Sequence, residues 1–201
     1  MPTVVTEIPA RPVPLEPPRK KWTRVEIAAI ESLGLWDQER LELVEGELIS
    51  KIGKKRPHVI ATTVIYPWLV RVFGGEYVNP EAPIDVAPED NPTNEPEPDL
   101  IVLSKPSREI RDANPRPEDL RLVVEISDST VSFDMTTKAA LYARSGIVEY
   151  WIFDIPARRI IVHRDPREGR YQSVTAYLEQ ERVSPLAAPG QEFSVKDAFP
   201  A

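Results

Sequence analysis

No cysteine occurs among the 201 residues. That absence excludes a disulfide framework, a thiolate zinc site and a cysteine nucleophile. No apolar run is long enough to cross a bilayer, so a membrane-spanning helix is excluded and no membrane partner is expected. An N-terminal apolar stretch ending in a small-residue cleavage site is also missing, which makes the cytoplasm the expected location. Positive charge is scarce too: 25 Lys and Arg stand against 32 Asp and Glu, a formal net charge of −7. A strong nonspecific binder of nucleic acid carries a basic surface, and this chain does not. The acidic excess is local, however. Seven acids (Glu81, Asp85, Glu89, Asp90, Glu95, Glu97 and Asp99) fall between Pro80 and Asp99 without a single Lys or Arg. The other 25 acids equal the 25 bases, so a local phosphate-binding groove stays open.

What is present suits a packed core, with 41% hydrophobic and 28% charged residues. Residues 1–20 hold six prolines and little apolar periodicity, and read as a disordered or extended tail. Residues 21–201 are expected to form one domain. Thr23 and Glu26 have capping-box spacing, which predicts a helix ending near Leu33 with Gly34 as its stop. Residues 40–50 read as two short strands around a turn at Glu45-Gly46. Pro57 suits the first turn of a second helix that carries His58 and reaches Phe73, with Pro67 expected to kink or interrupt it. Strands are predicted at Ala82–Val86, Asp99–Leu103, Leu120–Ile126, Val148–Phe153, Arg159–His163 and Tyr171–Tyr177, with only weak strand signals beyond. A helix is expected from about Ser132 to Arg144. Helices first, then strands interrupted by one helix, give an α+β or mixed α/β fold.

Three charged side chains stand out. Asp99 opens an apolar strand after Pro98, and Glu125 lies between Val124 and Ile126 near the end of another. A carboxylate in such surroundings needs a partner or a metal. Neighbouring strands lie about 4.8 Å apart, so two carboxylates at matching ends can share one divalent cation. Asp134, Lys138 and Tyr142 are spaced i, i+4, i+8 and share a helix face. On the residues alone, two readings remain open for Glu125: a metal ligand, or half of a buried ion pair with Lys138. Asp99 can equally be a strand opener, and Asp134–Lys138 a plain helix-surface pair. His58 can be a core or surface histidine, the basic loop of Lys51, Lys54, Lys55 and Arg56 a solvated one, and Tyr150 and Trp151 core packing.

Taken in order, Glu42-Leu43-Val44-Glu45-Gly46-Glu47-Leu48, His58, Pro98-Asp99, Glu125-Ile126-Ser127, Asp134-x-x-x-Lys138-x-x-x-Tyr142 and Gly146-Ile147-Val148-Glu149-Tyr150-Trp151 resemble the Uma2 family of restriction-endonuclease-like proteins, in the PD-(D/E)XK nuclease superfamily. The resemblance covers roughly residues 22–197. It implies a mixed central sheet flanked by helices and a metal-dependent endonuclease acting on DNA, with Asp99, Glu125 and Lys138 as catalytic residues. Mg²⁺ or Mn²⁺ would be held by Asp99, Glu125, the Ile126 carbonyl and an acid from the N-terminal region, with Glu45 slightly favoured over Glu42. His58, Ser127, Asp134 and Tyr142 would support that site. The superfamily places its lysine two residues after the acid, where this chain has Ser127. The resemblance therefore implies that Lys138 has taken over the role from the helix. It also implies a homodimer. The alternative is a catalytically degenerate member serving as a binding or scaffold module.

Overall fold

The computed structural model describes residues 19–34, 40–51 and 55–199. The tail through residue 18, and Lys54 of the basic loop, lie outside the described residues. Helix α1 spans Arg24–Glu31 and starts as its capping box requires, with the Thr23 and Glu26 side chains each capping the other's backbone. Strands β1 (Leu41–Val44) and β2 (Glu47–Ser50) form an antiparallel hairpin. Its turn residues, Glu45 and Gly46, both have positive φ, at 52° and 72°. That is the handedness a two-residue hairpin turn demands.

Helix α2 spans Arg56–Phe73 and continues through Pro67. The expected interruption is absent. Trp68 and Leu69, just past the proline, are buried in the core. The third helical region, α3, is composite: an α turn at Val131–Phe133, a π turn at Asp134–Lys138 and an α segment at Ala139–Arg144.

The central sheet has six strands in the order β3-β4-β5-β6-β7-β8, all in chain sequence. They are β3 (Val78–Pro80), β4 (Leu100–Leu103), β5 (Leu120–Ser127), β6 (Glu149–Asp154), β7 (Arg159–Arg167) and β8 (Arg170–Leu178). All neighbouring pairs are antiparallel except β5–β6. A parallel pair cannot be closed by a hairpin, and α3 supplies the crossover between those two strands. Two short strands, β9 (Arg182–Val183) and β10 (Phe193–Ser194), pair separately. The expected mixed sheet flanked by helices is the observed architecture.

One face of the sheet buries Val124, Ile126, Trp151 and Phe153 against Ile65 and Leu69 of α2, with Phe193 and Phe199 closing the edge. The other buries Val123, Tyr150, Ile152 and Ile161 against Leu141 and Tyr142 of α3. Strand β5 is thus covered on both sides, which is why its sequence reads as a nearly unbroken apolar run.

Ala82–Val86, expected as a strand, is not one. Its backbone is instead held by loops, with the Ile84 N–H donating to the Pro96 carbonyl at 3.0 Å and the Asp85 N–H to the Pro115 carbonyl at 2.8 Å. Pro83 removes a ladder donor from this segment, and burial of Ile84 and Val86 imitates a strand's alternation. Strand β3, just upstream, was too short to be visible in the pattern.

His163 of β7 is buried between the Tyr150 and Tyr171 rings, each 5.4 Å away between centroids. Among the described residues its Nδ1 is the buried side-chain atom without a hydrogen-bond partner. Burial pushes the imidazole down to about 4, with a hydrogen bond to the Tyr150 backbone opposing the shift. The unfolded chain binds this proton near pH 6.5, well before the folded one does, so stability is complete above that pH and is lost as the pH falls toward 4. Relative to pH 7, the loss at pH 5 is expected to reach ~2 kcal/mol. Chemical denaturation at both pH values should show this loss in the wild type and a smaller one in His163→Phe.

Candidate active site

The β4–β5 register sets the site. Leu100 pairs with Val124, which brings Asp99, one residue ahead of β4, beside the end of β5. There the Ile126 N–H donates to Asp99 Oδ2 at 2.8 Å. Glu125 lies between two residues whose side chains enter the α2-side core, so its own carboxylate points to the α3 side.

Helix α3 meets it there. Lys138 Nζ is 2.7 Å from Glu125 Oε1, and the Tyr142 hydroxyl donates to the same oxygen at 3.3 Å. Asp134 Oδ1 is 4.0 Å from Lys138 Nζ. Its Oδ2 accepts from the Ser127 and Thr130 hydroxyls at 2.7 and 2.8 Å. The predicted helix face is therefore real, although a π turn rather than an α turn carries Asp134 and Lys138. Such turns are rare and recur at functional sites.

The hairpin β1–β2 brings a further acid. It docks on the 93–97 segment, where the Glu95 N–H donates to the Leu43 carbonyl at 2.7 Å, the Gly46 N–H to the Thr93 carbonyl at 2.8 Å and the Glu45 N–H to Asn94 Oδ1 at 2.6 Å. Glu42 then reaches inward. Its Oε2 accepts from the Glu97 N–H at 3.1 Å, and its Oε1 lies 2.9 Å from Lys138 Nζ. The structure does not bring Glu45 to this cluster. Glu45 occupies the hairpin turn, and its carboxylate pairs with Arg144 at 2.5 Å. Glu42, on the strand itself, and not Glu45 is the hairpin acid that reaches Lys138.

His58 lies in the first turn of α2 with Nε2 3.1 Å from both Asp99 oxygens. An ionised carboxylate only accepts hydrogen bonds, so Nε2 carries the proton in this contact. The Thr62 hydroxyl donates to the His58 carbonyl at 2.9 Å and lies 3.4 Å from Nδ1. The His58–Asp99 contact joins residues 41 positions apart and has no local signal in the sequence.

Glu42, His58, Asp99, Glu125, Asp134 and Lys138 border a cleft of about 120 Å³ that also touches Lys51, Lys55 and Ile126. Lys51 donates to the Glu97 carbonyl at 2.7 Å, and Lys55 pairs with Asp128 at 3.2 Å. Three carboxylates, Glu42, Glu125 and Asp134, thus share one buried ammonium, while Asp99 is held by His58 and the Ile126 N–H. Burial pushes Glu125 above the usual carboxylate range; Lys138 opposes this, while Asp134, Asp99 and Glu42 add to it. Burial likewise raises Asp134, with Lys138 opposing. Burial works against the charge on Lys138, but Glu125, Tyr142, Glu42 and Asp134 hold its ammonium well above its ordinary value.

Among the described residues, no group of three or more His, Asp or Glu side chains stands ready-made as a metal cage. The carboxylates are instead gathered round Lys138. Carboxylate oxygens are the donor type that hard divalent ions such as Mg²⁺ or Mn²⁺ take.

A family model described as "Putative restriction endonuclease", Uma2, matches residues 29–196. This chain belongs to the Uma2 family. A similar fold is seen in a crystal structure from Anabaena variabilis, described as "a putative nuclease belonging to DUF820". That structure matches this Uma2 chain with a TM-score of 0.60 at 15% sequence identity, over 81% of this chain and 90% of the other. At that identity the likeness concerns the fold. No curated protein matches this Uma2 chain.

Removing the ammonium leaves buried carboxylates uncompensated. Lys138→Met is expected to cost ~3–5 kcal/mol at pH 7. Adding Glu125→Gln should recover part of that loss, with a coupling energy of about 2 kcal/mol in a double-mutant cycle read by chemical denaturation. Additive losses would show that the two side chains do not act as a pair.

Proposed function

We propose that this protein is a divalent-metal-dependent endonuclease that hydrolyses phosphodiester bonds of DNA. The observation that carries the reading is the meeting of Asp99, Glu125 and Lys138 at one cleft, in the order and on the elements that the family resemblance implies. Asp99 and Glu125 would hold Mg²⁺ or Mn²⁺, with the Ile126 carbonyl as a further oxygen ligand and Glu42 as the acid from the hairpin. When bound, such an ion lowers the pKa of water and screens phosphate charge.

The protein's own groups have distinct tasks. His58 and the Ile126 N–H fix the Asp99 carboxylate, one from each side. Tyr142 fixes Glu125. Ser127 and Thr130 hold Asp134 against the π turn, which in turn positions Lys138. The Lys138 stem is long and flexible enough to carry its ammonium from the carboxylates to a phosphate at the cleft, where it would stabilise the charge that develops on the reacting phosphorus oxygens. Lys51, Lys55 and the start of α2 add local positive potential beside a chain that is acidic as a whole. The carboxylates alone do not distinguish DNA from RNA. A homodimer, active in the cytoplasm, completes this reading, since two-fold symmetry places two clefts against the two strands of a duplex.

One observation favours a second reading. The Lys138–Glu125–Glu42 network is satisfied internally, as it would be in a catalytically degenerate member acting as a binding or scaffold module. Plasmid cleavage separates the two. The wild type should nick supercoiled DNA with Mg²⁺ or Mn²⁺ and not with EDTA, and Glu125→Ala should lose about a hundredfold or more. Equal activity of wild type and variant would reject the nuclease. A Mn²⁺-soaked crystal should give an anomalous peak between Asp99 and Glu125.

A further inference from the structure

Lys138 stands at the centre of the charge cluster. Its Nζ is 2.7 Å from Glu125 Oε1, 2.9 Å from Glu42 Oε1 and 4.0 Å from Asp134 Oδ1. Its side chain is only 4% exposed. One ammonium therefore links the hairpin, the central sheet and the crossover helix, each through a carboxylate.

Two cations cannot share Glu125 without cost. Like charges a few ångströms apart in a desolvated site repel strongly. An ammonium engaged with Glu125 and Glu42 also occupies oxygen lone pairs that an incoming ion would need. Both Lys138 and Tyr142 use Oε1 of Glu125, so the competition centres on one carboxylate. The π turn adds a constraint of its own. Lys138 is its last residue, and Ala139 begins an α segment packed into the core. The backbone is thereby fixed, and the four-carbon stem is the part free to move.

Building on the metal-dependent reading above, we propose that Lys138 is a tethered counter-ion which competes with the divalent cation for Glu125 and is released when that cation binds. Before the ion arrives, the ammonium keeps the carboxylates together and the cleft compact. Ion binding and lysine release are then one exchange, so the ammonium becomes available to a phosphate only in the metal-loaded site. A cleft without metal holds its lysine sequestered and inert.

The test is calorimetric titration of Mn²⁺ into the full-length wild type and into K138M, K138Q and K138R, each first shown to be folded by circular dichroism. The two neutral variants should bind Mn²⁺ at least about tenfold more tightly than the wild type, because the competing charge is gone. K138R keeps the charge and should bind no more tightly than the wild type. A lysine with a purely structural role would make all three variants weaker alike. Neutral variants that bind no better than the wild type overturn the competition and leave the metal-dependent reading intact. Absence of binding in every protein at millimolar Mn²⁺ overturns both. Should neither neutral variant fold, the exchange is read on the wild type by reductive methylation and peptide mass mapping. Labelling of Lys138 should rise several-fold with saturating Mn²⁺, and unchanged labelling overturns the proposal.

Discussion

The buried pair between Lys138 and Glu125 is the constraint to which the site answers. A charged amine and a charged acid, both almost wholly withdrawn from water, are tolerable only with close mutual contact and with every other lone pair accounted for. That requirement reaches outward. Tyr142 must present its hydroxyl, Glu42 must arrive on a docked hairpin, and Asp134 must be held by Ser127 and Thr130. Loss of any of these leaves a charge buried with too little compensation. The site is therefore rigid for electrostatic reasons as well as for reasons of packing.

The sheet provides the frame. Because β5 is sandwiched between α2 and α3, residues alternate between two hydrophobic layers along it, and Glu125 is the one acid placed in that alternation. Its neighbour in space, Asp99, is set by the β4–β5 register and not by proximity in sequence. A shift of one residue in that register would send the carboxylates to opposite faces. The parallel step from β5 to β6 is what makes a crossover helix necessary, and that helix is the one bearing the lysine.

Much of this was legible in the sequence. The apolar runs around Asp99 and Glu125, the capping box at Thr23 and the Glu45-Gly46 turn are local signals with local physical causes, and each led to the element observed. The i, i+4, i+8 spacing led to the right helix face. What was not legible depends on long-range placement. The choice between Glu42 and Glu45 turns on where the hairpin docks, which is set by hydrogen bonds to residues 93–97, far along the chain. The His58–Asp99 contact depends on how α2 lies across the sheet. Ala82–Val86 has a strand's burial pattern without a strand's partners. Pro67 should weaken α2, yet core burial of the residues after it outweighs one missing hydrogen bond.

The π turn in α3 has a consequence for how this chain can change over evolutionary time. Such a turn takes in one residue more than an α turn does. The α segment after it is anchored by Leu141 and Tyr142 and cannot easily rotate. Deleting a single residue near Met135 would restore regular winding and turn the preceding stretch by about 100°, carrying Asp134 away from Ser127 while every original side chain but one survived. Chain length at this spot is under as much constraint as chemical identity. Relatives should tolerate gaps almost anywhere on the surface before they tolerate one here.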